Sequence, residues 1–317
     1  MRFRFILSAF ALLLFYSAFG LMGQVTAEPE PDDSSPLPFP DVPQGIEGNF
    51  DHILFVYDDF DENHAGYIEP SLGLVTTGWG EYDDILIPDT TIDGEFGWVT
   101  DNTIDGRAFR CAITGGQAYN NYFCANNIAK LNGSNGEYPY DGLNWLELEM
   151  DFYVEGNIDC SQQIKSDMEG IEFVWQFTQP PKSYGFGLVY APYKGQLRYW
   201  AEQGTWEPFD PPIEGVCITG NEWHHVRFVT SMLGDSINYH YMVLDGQVID
   251  FRNQQLDTFK TFDDWKDTFL QIGVQVDSTF SEGDPNVARP VGMVIDNVKL
   301  TGLDFSFENK VYLPLVR

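Results

Sequence analysis

Apolar and polar residues alternate in short runs along most of this chain. Residues 146–154 show it most clearly. Leu146, Leu148, Met150, Phe152 and Val154 fall on one face, and Glu147, Glu149, Asp151 and Tyr153 fall on the other. A period of two marks a strand buried on one side. The same reading predicts strands over residues 53–57, 171–177, 186–190, 196–200, 224–230, 237–244, 247–251, 270–276 and 291–300, with Gly, Pro, Asn and Asp between them. Asp245-Gly246 reads as a two-residue hairpin turn, because glycine tolerates the positive φ such turns need. Residues 191–195 read as a second hairpin, with Gly195 in that role. One short helix is predicted, over residues 261–268. No fixed-period repeat or heptad interrupts the pattern. Many strands with almost no helix imply a sandwich or a barrel.

The N-terminus changes the compartment. Arg2 and Arg4 precede an apolar run from Phe5 to about Gly23, and Val25-Thr26-Ala27 ends on a small residue. This is the pattern of a secretory signal peptide over residues 1–27. The alternative is an uncleaved anchor, since the run is about long enough to span a bilayer. No cysteine lies near the cut, which argues against a lipoprotein. Residues 28–49 begin EPEPDDSSPLPFPDVP, a Pro-rich acidic linker with little to bury. The folded part spans residues 50–305 and a short tail follows over 306–317. The length suits one large β-sandwich.

Charge and cysteines narrow the partners. Asp and Glu number 48 against 17 Lys and Arg, a net charge of −31. Nucleic acid and anionic membranes both need positive charge on the protein, so neither is an expected partner. Solubility after export accounts for such acidity, and cation binding is the sharper explanation. Cys111, Cys124, Cys160 and Cys217 all follow the signal, and an oxidising compartment favours two disulfides. Four cysteines allow three pairings. The favoured one is Cys111–Cys124, closing a short loop rich in Asn and Tyr, with Cys160–Cys217. No C-x-x-C pair is present, so the spacing is unlike a zinc site.

The stretch from Asn221 through Trp223, His224, His225 and Val226 to Phe228 is followed by the run 237–244, the Asp245-Gly246 turn and the run 247–251. Together they resemble laminin G and pentraxin-type domains, in which a W-H-x-V strand precedes a hairpin with an Asp-Gly turn. Tyr57-Asp58-Asp59-Phe60 at the first strand and the segment from Val294 to Leu300 at the last resemble secreted jelly-roll modules. The resemblance covers most of residues 50–303. It implies an all-β, two-sheet antiparallel jelly-roll sandwich of the concanavalin A-like lectin/glucanase type. Such folds host many activities, so function has to be read from sites. The tail Lys310-Val-Tyr-Leu-Pro-Leu-Val-Arg resembles short ends of some exported bacterial proteins, and equally reads as a last edge strand.

Three candidate chemistries follow. The resemblance implies a structural calcium joining the first and last strands, with Asp59 and Asp296 as its ligands. Asp58, Asp61 and Asn63 lie close by in sequence, but His64 and Pro70 break an EF-hand pattern. Turn-forming aspartates are the plain alternative. The second candidate is glycoside hydrolysis. Glu147, Glu149 and Asp151 share a strand face, with neighbours roughly 6–7 Å apart by strand rise. Such pairs suit an acid and a nucleophile or base, here Asp151 as acid/base and Glu147 as nucleophile. Laminarinase-type hydrolases carry a similar strand, ordered Glu-x-Asp-x-(x)-Glu, from which this row departs at both later positions. A solvated polar face is the plain alternative. The third candidate is an aromatic platform for sugar rings, built from Tyr138, Tyr140, Tyr193, Trp200 and Trp206. Trp145, Trp175 and Trp223 are assigned to the core.

The histidines add little, since His224 and His225 are strand neighbours and point to opposite faces. Protease, esterase and nucleotide motifs are absent from the sequence. The sequence reading is therefore a secreted or cell-surface module that recognises a glycan or glycoprotein through loop aromatics, with a structural calcium. The alternatives are a glycoside hydrolase or polysaccharide lyase using Glu147, Glu149 and Asp151, and a protein-interaction module without sugar specificity.

Overall fold

The computed structural model describes residues 51–58, 74–82, 93–104, 106–114, 121–130, 143–160, 166–179, 182–202, 204–233, 236–254, 256, 258, 260–261, 269–281 and 284–304. The predicted signal peptide, the linker and the tail, together with Asp59, Tyr138 and Tyr140, lie outside them.

In chain order the strands are β1 (Asp51–Asp58), β2 (Leu74–Tyr82), β3 (Asp93–Val99), β4 (Ala108–Thr114), β5 (Asn121–Lys130), β6 (Leu143–Glu155), β7 (Met168–Gln179), β8 (Lys182–Ala191) and β9 (Gln196–Trp200). They continue as β10 (Trp206–Pro208), β11 (Trp223–Leu233), β12 (Ser236–Leu244), β13 (Gln247–Asp250), β14 (Lys260–Thr261), β15 (Phe269–Ser278), β16 (Phe280–Ser281), β17 (Asp284–Ala288) and β18 (Val291–Asp304). Every run read from the alternation is a strand. Strands β2 to β5 were not read. In β3 glycines interrupt the pattern, and β5 carries apolar residues on both faces, so neither alternates cleanly. Of the predicted helix, Thr261 ends β14, and residues 262–268 lie outside the described residues.

The protein is an all-β, two-sheet antiparallel jelly roll. The first sheet runs β13-β12-β11-β6-β18-β4-β3, with β1 also on β18. The second runs β10-β9-β8-β7-β15-β5-β2, with β14 on β8. Strand β18 pairs with β4 through residues 291–295 and with β1 through residues 298–304. It bulges between those stretches, where Asn297 adopts φ 50°.

The core lies between the sheets. Leu148, Met150 and Phe152 of β6 face Phe173 and Trp175 of β7, with Phe152 and Phe173 rings edge-on at 5.1 Å. Tyr239 of β12 spans the layers. Its hydroxyl donates to the Gly187 carbonyl and accepts from the Gly187 N–H, both at 3.1 Å. Cys111–Cys124 ties β4 in one sheet to β5 in the other, and Cys160–Cys217 ties the β6–β7 connection to the segment before β11. Both are the favoured pairings. Trp175 is in the core as expected, but Trp223 is not: it stands half-buried on the outer face against Tyr153, centroids 5.8 Å apart. Register explains this, because Trp223 shares the face of His225 and Arg227. The side chain of Trp145 lies outside the described set.

Candidate functional site

The predicted carboxylate row stands on the outer face of the first sheet. Its three members are already engaged. Arg227 of β11 lies opposite Glu149 and holds Glu147 by a hydrogen bond from a terminal nitrogen to Oε2 at 2.8 Å and an ion-pair contact of Nε with Oε1 at 2.7 Å. Burial pushes the Glu147 carboxyl up while Arg227 pulls it down. His225 bridges the other two, Nδ1 to Asp151 at 2.7 Å and Nε2 to Glu149 at 3.3 Å. Those bonds raise the imidazole to about 10, and the bond from His225 lowers Glu149. Asn297 Nδ2 donates to the second oxygen of Asp151 at 2.9 Å. This is a paired ion ladder, and the histidine that the alternation left as pattern is its centre.

Asp296 is fully buried at the β18 bulge, where its Oδ1 accepts from the Asn297 N–H at 2.9 Å. Among the described residues no three Asp, Glu, His or Cys side chains gather to hold an ion. Of the aromatics, Tyr193 is 38% exposed in the β8–β9 turn with the Lys194 ammonium 5.0 Å from its ring. Trp200 and Trp206 form an edge-on pair at 4.8 Å across the β9–β10 ladder. Trp200 is 8% exposed, so of this pair Trp206 offers the open ring.

A second polar cluster lies on the outer face of the second sheet, around Trp206. Gly187 provides the room: a Cβ there would stand 2.8 Å from Cη2 of Trp206. The Trp206 indole N–H donates to Glu172 of β7. Glu172 in turn hydrogen-bonds Asp277 of β15. Gln275 Nε2 donates to Asp277 Oδ1 at 2.9 Å. Asp277 fills the space over Gly170, where a Cβ would meet its Oδ2 at 2.6 Å. Glu172 is 4% exposed and Asp277 8%. Two touching carboxyls in so dry a place hold a proton between them. Burial pushes Asp277 up to about 6 and Glu172 well above the usual carboxylate range. Glu169 sits at the β7 bulge beside them, half-buried, and burial with the nearby Asp277 raises it to about 7. Lys194 and Arg198 face Glu169 and pull the other way.

None of Glu169, Glu172 and Asp277 was singled out from the sequence. Alternation on β7 breaks at Gly170, which hides the outward set, and Asp277 comes from a strand about a hundred residues on. One signal was available. Asp167-Met168-Glu169-Gly170-Ile171-Glu172 has the carboxyl spacing of Glu-x-Asp-x-x-Glu with the first two residue types exchanged. Its first member is committed elsewhere, paired with Arg289 and accepting the Asn157 N–H at 2.7 Å.

No family model matches the chain, and no curated protein matches it. Solved structures similar to it include an endo-1,3-β-glucanase from Streptomyces sioyaensis, at 12% identity and TM-score 0.37 over 84% of this chain and 99% of that one. A β-glucanase from Bacillus licheniformis is similar at 13% identity and TM-score 0.34, over 80% of this chain and 98% of that one. Lectin UEA-II, solved with galactose, is similar at 7% identity and TM-score 0.37, over 80% and 99%.

Proposed function

We propose that this is a secreted or cell-surface protein that binds a glycan on the outer face of its second sheet. The observation that carries the reading is Trp206, half-buried over Gly187 with its indole N–H on Glu172. A sugar presents a flat C–H face for such a ring and hydroxyls for the carboxyls beside it. Tyr193, Lys194, Glu169 and Arg198 supply a polar rim on the same side. The two disulfides accord with an oxidising compartment. Among the described residues no helix is long and apolar enough to cross a membrane.

A second reading, hydrolysis of that glycan, is favoured by Glu169. A carboxyl that keeps its proton to about 7 suits a general acid, with Asp277 ionised beside it as the partner. This moves the catalytic reading off Glu147, Glu149 and Asp151.

The test is a glycan array on residues 44–317, with reducing-sugar release measured on every hit. Binding that Trp206→Ala weakens about tenfold to a hundredfold supports the site. Release of sugar that Glu169→Gln abolishes establishes the second reading. Silence on the array, with a protein recovered by pull-down, favours an interaction module instead.

The structural calcium stays part of the proposal, with Asp59 and Asp296 as ligands. A fully buried carboxylate where β18 meets β1 suits a hard cation. Chelation is expected to lower the melting temperature, and an unchanged value sinks the site.

A further inference from the structure

We propose that the Glu172–Asp277 pair is a proton-operated latch under Trp206, which keeps the glycan site formed in acid to neutral solution and releases it as the pH rises. The proposal rests on the reading of that face as the ligand site. Two carboxyls in hydrogen-bond contact, each nine-tenths buried, need one proton between them. Without it they are two like charges side by side in a low dielectric. Asp277 has little freedom, being bonded by Gln275 and seated over Gly170. Glu172 is the member that gives way, and its departure takes the acceptor from the Trp206 indole.

What Glu172 anchors is a short strand at the end of the sheet. Strand β10 has three residues, pairs with β9 alone among the described strands, and follows Gly204 at φ 71°. Groups around the Glu172, Asp277 and Glu169 carboxyls come from several elements, including Asn121 of β5 opposite Asp277. Strand β7 contributes Glu169, β15 contributes Gln275, β9 contributes Arg198, the β8–β9 turn contributes Lys194, and β10 contributes Trp206. Strand β8 contributes Val189 and glycines, which carry no charge. The two cations, Lys194 and Arg198, face Glu169. The burial that raises both carboxyls places the loss of the shared proton above pH 6.

The test titrates the full secreted chain from pH 5 to 9, following tryptophan emission and hydrogen exchange over residues 204–208. Wild type is expected to pass through a transition above pH 6, with exchange in that segment about tenfold faster beyond it. Glu172→Gln keeps a donor for Asp277 and an acceptor for Trp206 without needing a proton, so it should remove the transition. Asp277→Asn serves as the second variant if the first does not fold. Trp206→Phe should remove the emission change and so assign it. A flat wild-type profile, or a Glu172→Gln profile that titrates as wild type does, overturns the latch. Affinity for any array hit is measured over the same range and is expected to fall by up to about tenfold per pH unit above the midpoint. A transition without any glycan binding keeps the latch and retires the glycan site. Glycan binding that does not change with pH keeps the site and overturns the latch.

Discussion

Carboxylates on the two outer faces of this sandwich are stabilised by opposite means. Arg227 touches both oxygens of Glu147 and opposes the burial that raises its carboxyl. Glu172 is pushed well above the usual carboxylate range, first by burial and then by the buried carboxyl of Asp277 beside it. The expected effects of isosteric replacement differ accordingly. Glu147→Gln leaves Arg227 half-paired and should cost about 1–3 kcal/mol in denaturant unfolding, with glycan binding and any turnover unchanged. Loss of turnover in that variant would return catalysis to the first sheet. The pH dependence of stability follows from the raised groups. Glu169 at about 7, Asp277 at about 6 and Glu172 higher bind more protons folded than unfolded. Their stabilisation is full below the usual carboxylate range and is lost as pH rises through their folded values. His225, at about 10, adds a loss above its usual 6.5. Glu149, which is lowered, acts only in acid below 4.5. Melting temperature should therefore peak near pH 5 and decline toward pH 9. A rise from pH 5 to 8 in a thermal-shift series would contradict the assignment of the cluster.

At the scale of elements, the hairpin joining β12 to β13 does more than reverse the chain. Asp245 and Gly246 both take positive φ, 49° and 81°. The Asp245 carboxylate accepts from the His225 N–H at 2.8 Å and meets His224 Nδ1 at 2.7 Å, so the turn grips β11 two strands away from β13. Asp245→Ala strains the turn and deletes both contacts. It should cost about 1–3 kcal/mol by chemical denaturation, while Asp245→Asn, which tolerates the backbone and keeps an acceptor, should cost less. Equal costs for the two would mean that the contacts to β11 contribute nothing. The Asp-Gly dipeptide announced this turn. The grip on β11 was not legible, because it depends on which strand the hairpin lies beside.

For the whole molecule, the disulfides close loops of different size. The sequence separations are 13 for Cys111–Cys124 and 57 for Cys160–Cys217. Loop-closure entropy gives about 3 kcal/mol for the shorter and about 4 for the longer. Replacing Cys160 and Cys217 by alanine should lower stability more than replacing Cys111 and Cys124. Calorimetry of the two double variants checks this, and a reversed order would mean that native packing outweighs chain entropy. The net charge of −31 belongs to this scale too. Self-repulsion of the folded chain is screened by salt, which should raise its stability between low and physiological ionic strength.

The sequence alone determined the fold class, the strands with clean alternation and the Asp-Gly turn. These follow from local chemistry: a period of two buries one face, and glycine accepts positive φ. It also placed Glu147, Glu149 and Asp151 on one face correctly, since residues two apart on a strand share a side. Tertiary structure decided what those faces do. His225 and Arg227 neutralise the visible row because β11 lies beside β6 in that register. Asp277 reaches Glu172 because β15 pairs with β7 about a hundred residues away in sequence. Trp206 reaches Glu172 because Gly187 leaves room on β8. Charge compensation and burial depend on which strands become neighbours, and no local pattern carries that choice.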